Sequence, residues 1–312
     1  MSGLPAPSLH TKRFKDFTIS DLKPEEVVVV AGDLEENRDR LNAWEEIQRD
    51  APERIVSIKR LDEETIEIHH KDQKCHVSLR DEASINGIFS SQDFLIDVTG
   101  LPHSVWAPLL KSVYSQKINT RLMYVEPESY TPHPSPASSA IFDLSVTFGG
   151  LAPLPGFAQL SGPDDEDRCL FIAMLGFEGN RPEHLAAQLD PVPKVIPVVG
   201  APGFQLEYPA FTVGCNRMFL DEYKAHSEVR YARASCPFEA FEALTKIRRD
   251  YPGHYIYLAL VGTKPHAIGA VLFAMKHGET TELLFDHPIK KRGRTSGVGI
   301  VHVYDFEDFH AY

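Results

Sequence analysis

The chain has 312 residues, enough for one large domain or two of ordinary size, each with its own core. Hydrophobic residues make up 43% and charged residues 24%, which excludes a disordered or fibrous chain. The 32 Lys and Arg against 44 Asp and Glu leave a formal charge of −12, so capture of a long nucleic acid is not expected and any anion site must be local. No apolar run reaches the roughly 18 to 20 residues needed to span a bilayer. The opening segment MSGLPAPSLHTKRFKDF lacks an apolar core and does not read as a secretory signal. Cys75, Cys169, Cys215 and Cys236 show no paired spacing, which suits reduced thiols. The expectation is a cytoplasmic protein with no membrane contact.

In chain order, the β-branched run Val27–Ala31 reads as a strand buried on both faces. Glu35–Asp50 places Leu41, Trp44 and Ile47 on one side and predicts an amphipathic helix. Arg54–Lys59, Thr65–His69 and Cys75–Leu79 read as strands, then Phe94–Val98 as another buried one. A helix over Pro102–Ser115 and a strand over Thr120–Val125 close the first set. Pro127–Ala140 holds four prolines and four serines, the composition of an extended linker. Residues 1–130 are therefore expected to form one domain, 131–140 a linker and 141–312 a second domain.

Beyond the linker, Ser161–Arg168 reads as an acidic turn. Strands are predicted at Leu170–Leu175, Lys194–Val199, Val229–Ala232, Tyr255–Val261, Glu282–Phe285 and Gly299–Tyr304. Helices are predicted around Pro182–Leu189, Pro237–Asp250 and Pro265–Lys276. Alternating strands and helices favour parallel sheets, so the fold expected is α/β with two Rossmann-like halves. PHSVWAPL from Pro102 and PHAIGAVL from Pro265 agree at four positions, which suggests an internal duplication.

Open sheets of this kind bind ligands at the carboxyl ends of their strands. Three strand-to-helix loops stand there: Asp97–His103, Gly176–Pro182 and Val261–His266. Proline marks each helix start, and the preceding Leu101, Arg181 or Lys264 cannot accept a hydrogen bond from the first amides. Open amides beside glycines make an anion site, to which Lys264 and Arg181 would add charge. Glu178 opposes an anion at the second loop. The ligand-binding candidates are thus Asp97, Thr99, Gly100 and His103 in the first loop and Gly262, Thr263, Lys264 and His266 in the third. The basic stretch Lys290–Gly297 contributes Arg292, Arg294, Thr295 and Ser296, whose forked donors and hydroxyls suit a phosphate and which would curl over the third loop. His103 and His266 could donate to a phosphate or serve as general acids.

Gly262-Thr263-Lys264-Pro265-His266 resembles the Gly-Thr-Lys-Pro loop of CRISPR-associated Rossmann-fold (CARF-like) sensor domains. Asp97-Val98-Thr99-Gly100 is similar to the Asp-x-Thr-Gly form in the same group. The resemblance implies a dimer interface that binds a cyclic oligonucleotide and a role in prokaryotic antiviral defence. It covers some ten residues at each site, and no nuclease or winged-helix segment is expected in residues 1–312.

Other patterns give less. His69-His70 and Cys75-His76 flank a hairpin, but neighbouring strand residues point to opposite faces, so no metal site is expected. Cys236 precedes a helix without an evident activating histidine. No cofactor motif is present. The leading expectation is a sensor or binding protein for a nucleotide-type ligand, acting with a protein partner or as a homodimer. A phosphodiesterase or nuclease-like enzyme and a structural subunit of a complex are the alternatives.

Overall fold

The structure, a computed structural model, describes residues 10–89, 93–137, 140–159, 162–163 and 168–306. It is a mixed α/β fold that divides into two compact units, Met1–Ser129 with Thr295–Tyr312, and Tyr130–Arg294. Most of the acidic Ser161–Arg168 turn and the first nine residues lie outside the described set. Among the described residues no helix is long and apolar enough to cross a membrane.

The first unit is built on one eight-stranded sheet. Its strands are β1 (Thr11–Phe14), β2 (Val27–Ala31), β3 (Ile55–Arg60), β4 (Thr65–His70), β5 (Gln73–Ser78), β6 (Phe94–Asp97), β7 (Thr120–Val125) and the chain's last strand, Val301–Asp305. The centre is parallel, in the order β7-β6-β2-β3, and antiparallel strands complete both edges. Every residue of β2, β6 and β7 is buried, as parallel strands covered on both faces require. The helices are α1 (Asn42–Asp50), α2 (Glu82–Asn86) and α3 (His103–Ser115). One core cluster joins Trp44 and Ile47 of α1 to Val28, Val30, Leu95 and Met123 of the sheet.

Val301–Asp305 was expected in the second domain. It lies instead antiparallel to β7, with Val301 opposite Val125 and Val303 opposite Met123. Both valines are 1% exposed and belong to the first unit's core, so burial decides the placement. The helix predicted over Glu35–Asp50 is also shorter. The Asp39 carboxylate accepts the amides of Glu35 and Glu36, both at 3.0 Å, and holds Asn37–Asp39 in a separate 3-10 turn before α1.

The proline-rich stretch is not a linker. After β8 (Ser129–Tyr130), β9 (Pro132–Ala137) pairs antiparallel with β10 (Ala140–Phe142), Ala140 opposite Ala137. Proline is tolerated in such two-stranded edges because the lost N–H need not enter a ladder. β11 (Ser145–Thr147) follows.

The second unit's main sheet is wholly parallel: β12 (Cys169–Met174), β13 (Lys194–Gly200), β14 (Arg230–Ala232), β15 (Tyr255–Leu260) and β16 (Thr281–Leu284), in the order β14-β13-β12-β15-β16. Its helices are α4 (Asn180–Ala186), α5 (Tyr208–Cys215), α6 (Arg217–Glu222), α7 (Pro237–Asp250) and α8 (Lys264–Lys276). Eleven residues of α8 are buried, as expected of a helix apolar all round. A Cβ on Gly269 would strike the Pro237 carbonyl, so this glycine lets α7 and α8 pack at close range. β17 (Ile289–Lys290) pairs with β11, and the short β18 (Thr295–Ser296) lies just past the point where the chain leaves the unit.

Candidate functional site

In an open parallel sheet, the strand order reverses at one point, and the loops there diverge to leave a crevice at the carboxyl edge. The reversal falls between β2 and β6 in the first unit and between β12 and β15 in the second. Asp97–His103 follows β6, while Gly176–Pro182 and Val261–His266 follow β12 and β15. The three loops singled out in the sequence therefore stand at the two reversals, each in its own unit.

At the first reversal the chemistry is acidic. Asp97 is 1% exposed; its Oδ1 accepts the Thr99 amide at 3.0 Å and its Oδ2 the Trp44 indole at 3.0 Å. Burial holds the Asp97 carboxyl above the usual carboxylate range, against the lowering effect of the Thr99 and Trp44 hydrogen bonds. Thr99 Oγ1 in turn accepts the Val125 amide at 3.0 Å. Asp39 also reaches this loop, since a Cβ on Gly100 would lie 2.7 Å from the Ala31 Cβ and 3.3 Å from the Asp39 carboxyl carbon. Asp39 is 3% exposed, and its Oδ1 has no hydrogen-bond partner among the described residues. Arg38, also buried, donates to Glu36 at 2.9 Å, the Val125 carbonyl at 2.8 Å and Thr295 at 3.3 Å.

These are structural bonds, and the balance of charge disfavours an anion there. α3 begins at His103 with Pro102 as its cap, a residue with no side-chain acceptor to offer the first amides. The His103 ring packs on Trp106 at 5.3 Å. Glu36, Arg38 and Asp39 were missed in the sequence because they lay inside the predicted helix. The polar run Glu35–Arg40 before Leu41 was the available signal.

At the second reversal the two loops touch through their backbones. A Cβ on Gly176 would strike the Val261 carbonyl, and one on Gly262 would lie 3.0 Å from the Met174 carbonyl. Thr263, not Lys264, caps α8: its Oγ1 accepts the His266 amide at 3.4 Å and donates to the Ala234 carbonyl at 2.7 Å. The expectation of an uncapped helix fails here, because the cap stands one residue earlier than the proline suggested. Lys264 becomes the first residue of α8 and is 8% exposed.

His266 is fully buried and its Nε2 bonds to the Ala232 and Arg233 carbonyls at 3.2 and 3.1 Å. Those acceptors fix the proton on Nε2. Burial pushes the ring's pKa down, so it stays neutral. Its Nε2 proton is held by the loop after β14, which removes it as donor or general acid toward a ligand. Cys236 caps α7, and burial pushes its thiol pKa up, away from a reactive thiolate.

Arg181 is not an anion ligand either. It is 6% exposed and grips Asp286 with two bonds of 2.8 and 2.7 Å and Glu178 with one of 3.0 Å.

The basic stretch is divided rather than gathered. Arg292 and Arg294 end the second unit, whereas Thr295 and Ser296 begin the return of the chain to the first. Lys291 pairs with Asp143, and Arg294, 8% exposed, donates to the Lys291 carbonyl at 3.2 Å. Thr295 accepts Arg38, and Ser296 lies 3.4 Å from the Ser129 hydroxyl. Arg292 is exposed. A single clamp of four side chains over the third loop does not follow from these bonds.

His69 and His76 both reach Glu67, at 2.6 and 3.3 Å, and tie the β4–β5 hairpin. No group of three or more His, Cys, Asp or Glu among the described residues could hold a metal ion. Comparison of the chain with protein-family models, with curated proteins and with solved structures finds no match.

Proposed function

We propose that this chain is a binding protein for a phosphate-bearing, nucleotide-type ligand, held at the carboxyl edge of the second unit's sheet around Gly262–Lys264. The observation that carries the reading is Lys264. It is a nearly buried ammonium at the first position of a thirteen-residue helix, beside the strand-order reversal. A helix N-terminus attracts an anion, and a lysine at its first position adds a cationic donor on the same side. The single strand-order reversal that each sheet makes supports reading the units as related Rossmann-like halves. The likeness of the loops to CRISPR-associated sensor domains adds a cyclic oligonucleotide to the ligands worth testing, with a protein partner or a second copy receiving the signal. Binding is favoured over hydrolysis because His266, the histidine of this loop that could have served as general acid, is held by two backbone carbonyls.

Calorimetry with inorganic triphosphate tests the reading. Lys264→Gln should weaken binding by about 1.5–3 kcal/mol, the worth of a hydrogen bond to a charged group. Equal affinity in the two proteins, or no binding by the wild type, overturns it.

A further inference from the structure

Five aromatic rings gather beside the same crevice. Phe177 directly follows Gly176, whose backbone abuts Val261 and Gly262, two residues short of Lys264. The Phe177 ring lies 4.8 Å from Phe142, 5.2 Å from Tyr208 and 5.3 Å from Tyr130, and Phe142 lies 6.0 Å from Phe211. Phe177 comes from the loop after β12, Tyr208 and Phe211 from α5 after β13, Tyr130 from β8 and Phe142 from β10. Tyr208 is buried, while Tyr130, Phe142, Phe177 and Phe211 are only half-buried. Rings from separate segments brace one another in tilted and edge-to-face contacts, so their positions are fixed before any ligand arrives. The α4–α6 region closes the loop from behind: Asn216 donates to the Gly176 carbonyl at 2.7 Å, and a Cβ on Gly179 would strike the Cys215 carbonyl.

We propose that these rings, Phe177 foremost, form the stacking platform for the nucleobase of the ligand whose phosphate meets Lys264. The inference rests on the anion assignment above and adds the aromatic half of the ligand. An anion alone would need no ring surface at this edge, and a partly wet ring has a π-face that any base can cover. Stacking tolerates all bases, so the platform sets the class of ligand rather than the identity of the base.

The test is calorimetry of the four ribonucleoside 5′-triphosphates and of inorganic triphosphate. The proteins compared are the wild type, Phe177→Leu, Phe211→Leu and Lys264→Gln, each checked for folding by circular dichroism. Each nucleotide should bind the wild type about tenfold more tightly than triphosphate, the scale of one stacked base. Either leucine variant should erase most of that preference and leave triphosphate affinity unchanged, while Lys264→Gln should weaken both ligands alike. Two leucine variants are used so that one that fails to fold leaves the other to decide.

The wild type gives a readout that needs no variant, since stacking moves the base protons of the bound nucleotide upfield in NMR. Nucleotides that bind no better than triphosphate, leucine variants with full preference, or base protons that do not shift overturn the platform. The anion assignment survives those results as long as Lys264→Gln weakens triphosphate. Triphosphate binding that ignores Lys264→Gln overturns both.

Discussion

The two strand-order reversals occupy the same topological slot and carry opposite chemistry. In each unit the loop after the first parallel strand holds an arginine against carboxylates: Arg38 on Glu36 in the first, Arg181 on Asp286 and Glu178 in the second. In each the loop after the neighbouring strand across the reversal, β6 or β15, leads into an apolar thirteen-residue helix, α3 or α8. The contents then diverge. The first loop buries Asp97 beside Asp39, whereas the second places Lys264 at the helix start. Topology sets where a ligand can approach, and a few polar side chains set what sign of ligand is welcome.

The largest expected effect breaks the shared feature. Arg181→Ala strands Asp286, which is fully buried, and removes the partner of Glu178. Removing one member of a buried pair costs about 3–5 kcal/mol. Urea denaturation should show a loss in that range. Arg38→Ala should cost less, because its short bond to a carboxylate, Glu36, is made through one nitrogen, whereas Arg181 grips Asp286 through two and Glu178 through a third. Equal losses would mean that the second carboxylate contributes nothing.

The histidine of α8 sharpens the contrast through pH. Its folded pKa lies below the usual 6.5 because of burial, so the unfolded chain binds more protons between the two values. The stability due to neutral His266 is therefore complete above 6.5 and is lost as pH falls through the folded pKa. His266→Gln keeps an N–H for the two carbonyls and has nothing to titrate. Its thermal midpoint should change less than the wild type's between pH 7 and pH 5, and an identical change would rule out His266 as the source.

Asp97 works with the opposite sign. Its folded pKa is raised above the usual 3.8, so its favourable contribution is complete below that value and is lost as pH rises through the folded pKa. Asp97→Asn removes this dependence. It also turns one side-chain acceptor into a donor facing either the Thr99 amide or the Trp44 indole, at a cost of about 1–3 kcal/mol. Chemical denaturation at pH 4 and pH 7 should show the variant closest to wild type at pH 7. A gap that does not narrow there would refute the raised pKa.

Buried strands were legible from β-branched runs, since Val27–Ala31 has no polar residue to put on a wet face. The same holds for α8 and for the loops at the strand ends, which proline and glycine mark. Three features were not legible, two of them because they depend on contacts far apart in sequence. Val301–Asp305 alternates as any strand does, and only its fit against Met123 and Val125 places it in the first unit. The α5–α6 region was not read as helical, for its apolar residues show no clear stripe and Gly214 interrupts them. Within the site, Lys264 was legible from its place before proline, but the capture of His266 by Ala232 and Arg233 was not, as the acceptors lie more than thirty residues away.

The smallest effect concerns the helix starts themselves. α8 is capped by the Thr263 side chain, whereas the cap residue of α3, Pro102, makes no such bond, although both helices follow the same kind of strand. Thr263 also donates to Ala234, so its hydroxyl joins the loop after β15 to the loop after β14. Thr263→Ala should cost about 1 kcal/mol, the usual worth of a cap, whereas Thr263→Ser should cost a few tenths because it keeps both bonds. The His266–Thr263 bond is long at 3.4 Å, so most of the loss should come from the Ala234 carbonyl left without its donor. Amide hydrogen exchange separates the two contributions. Loss of the Ala234 bond should loosen the segment between β14 and α7, while loss of the cap should speed exchange only in the first turn of α8. Faster exchange in that first turn alone would assign Thr263 to capping and leave the Ala234 contact without weight.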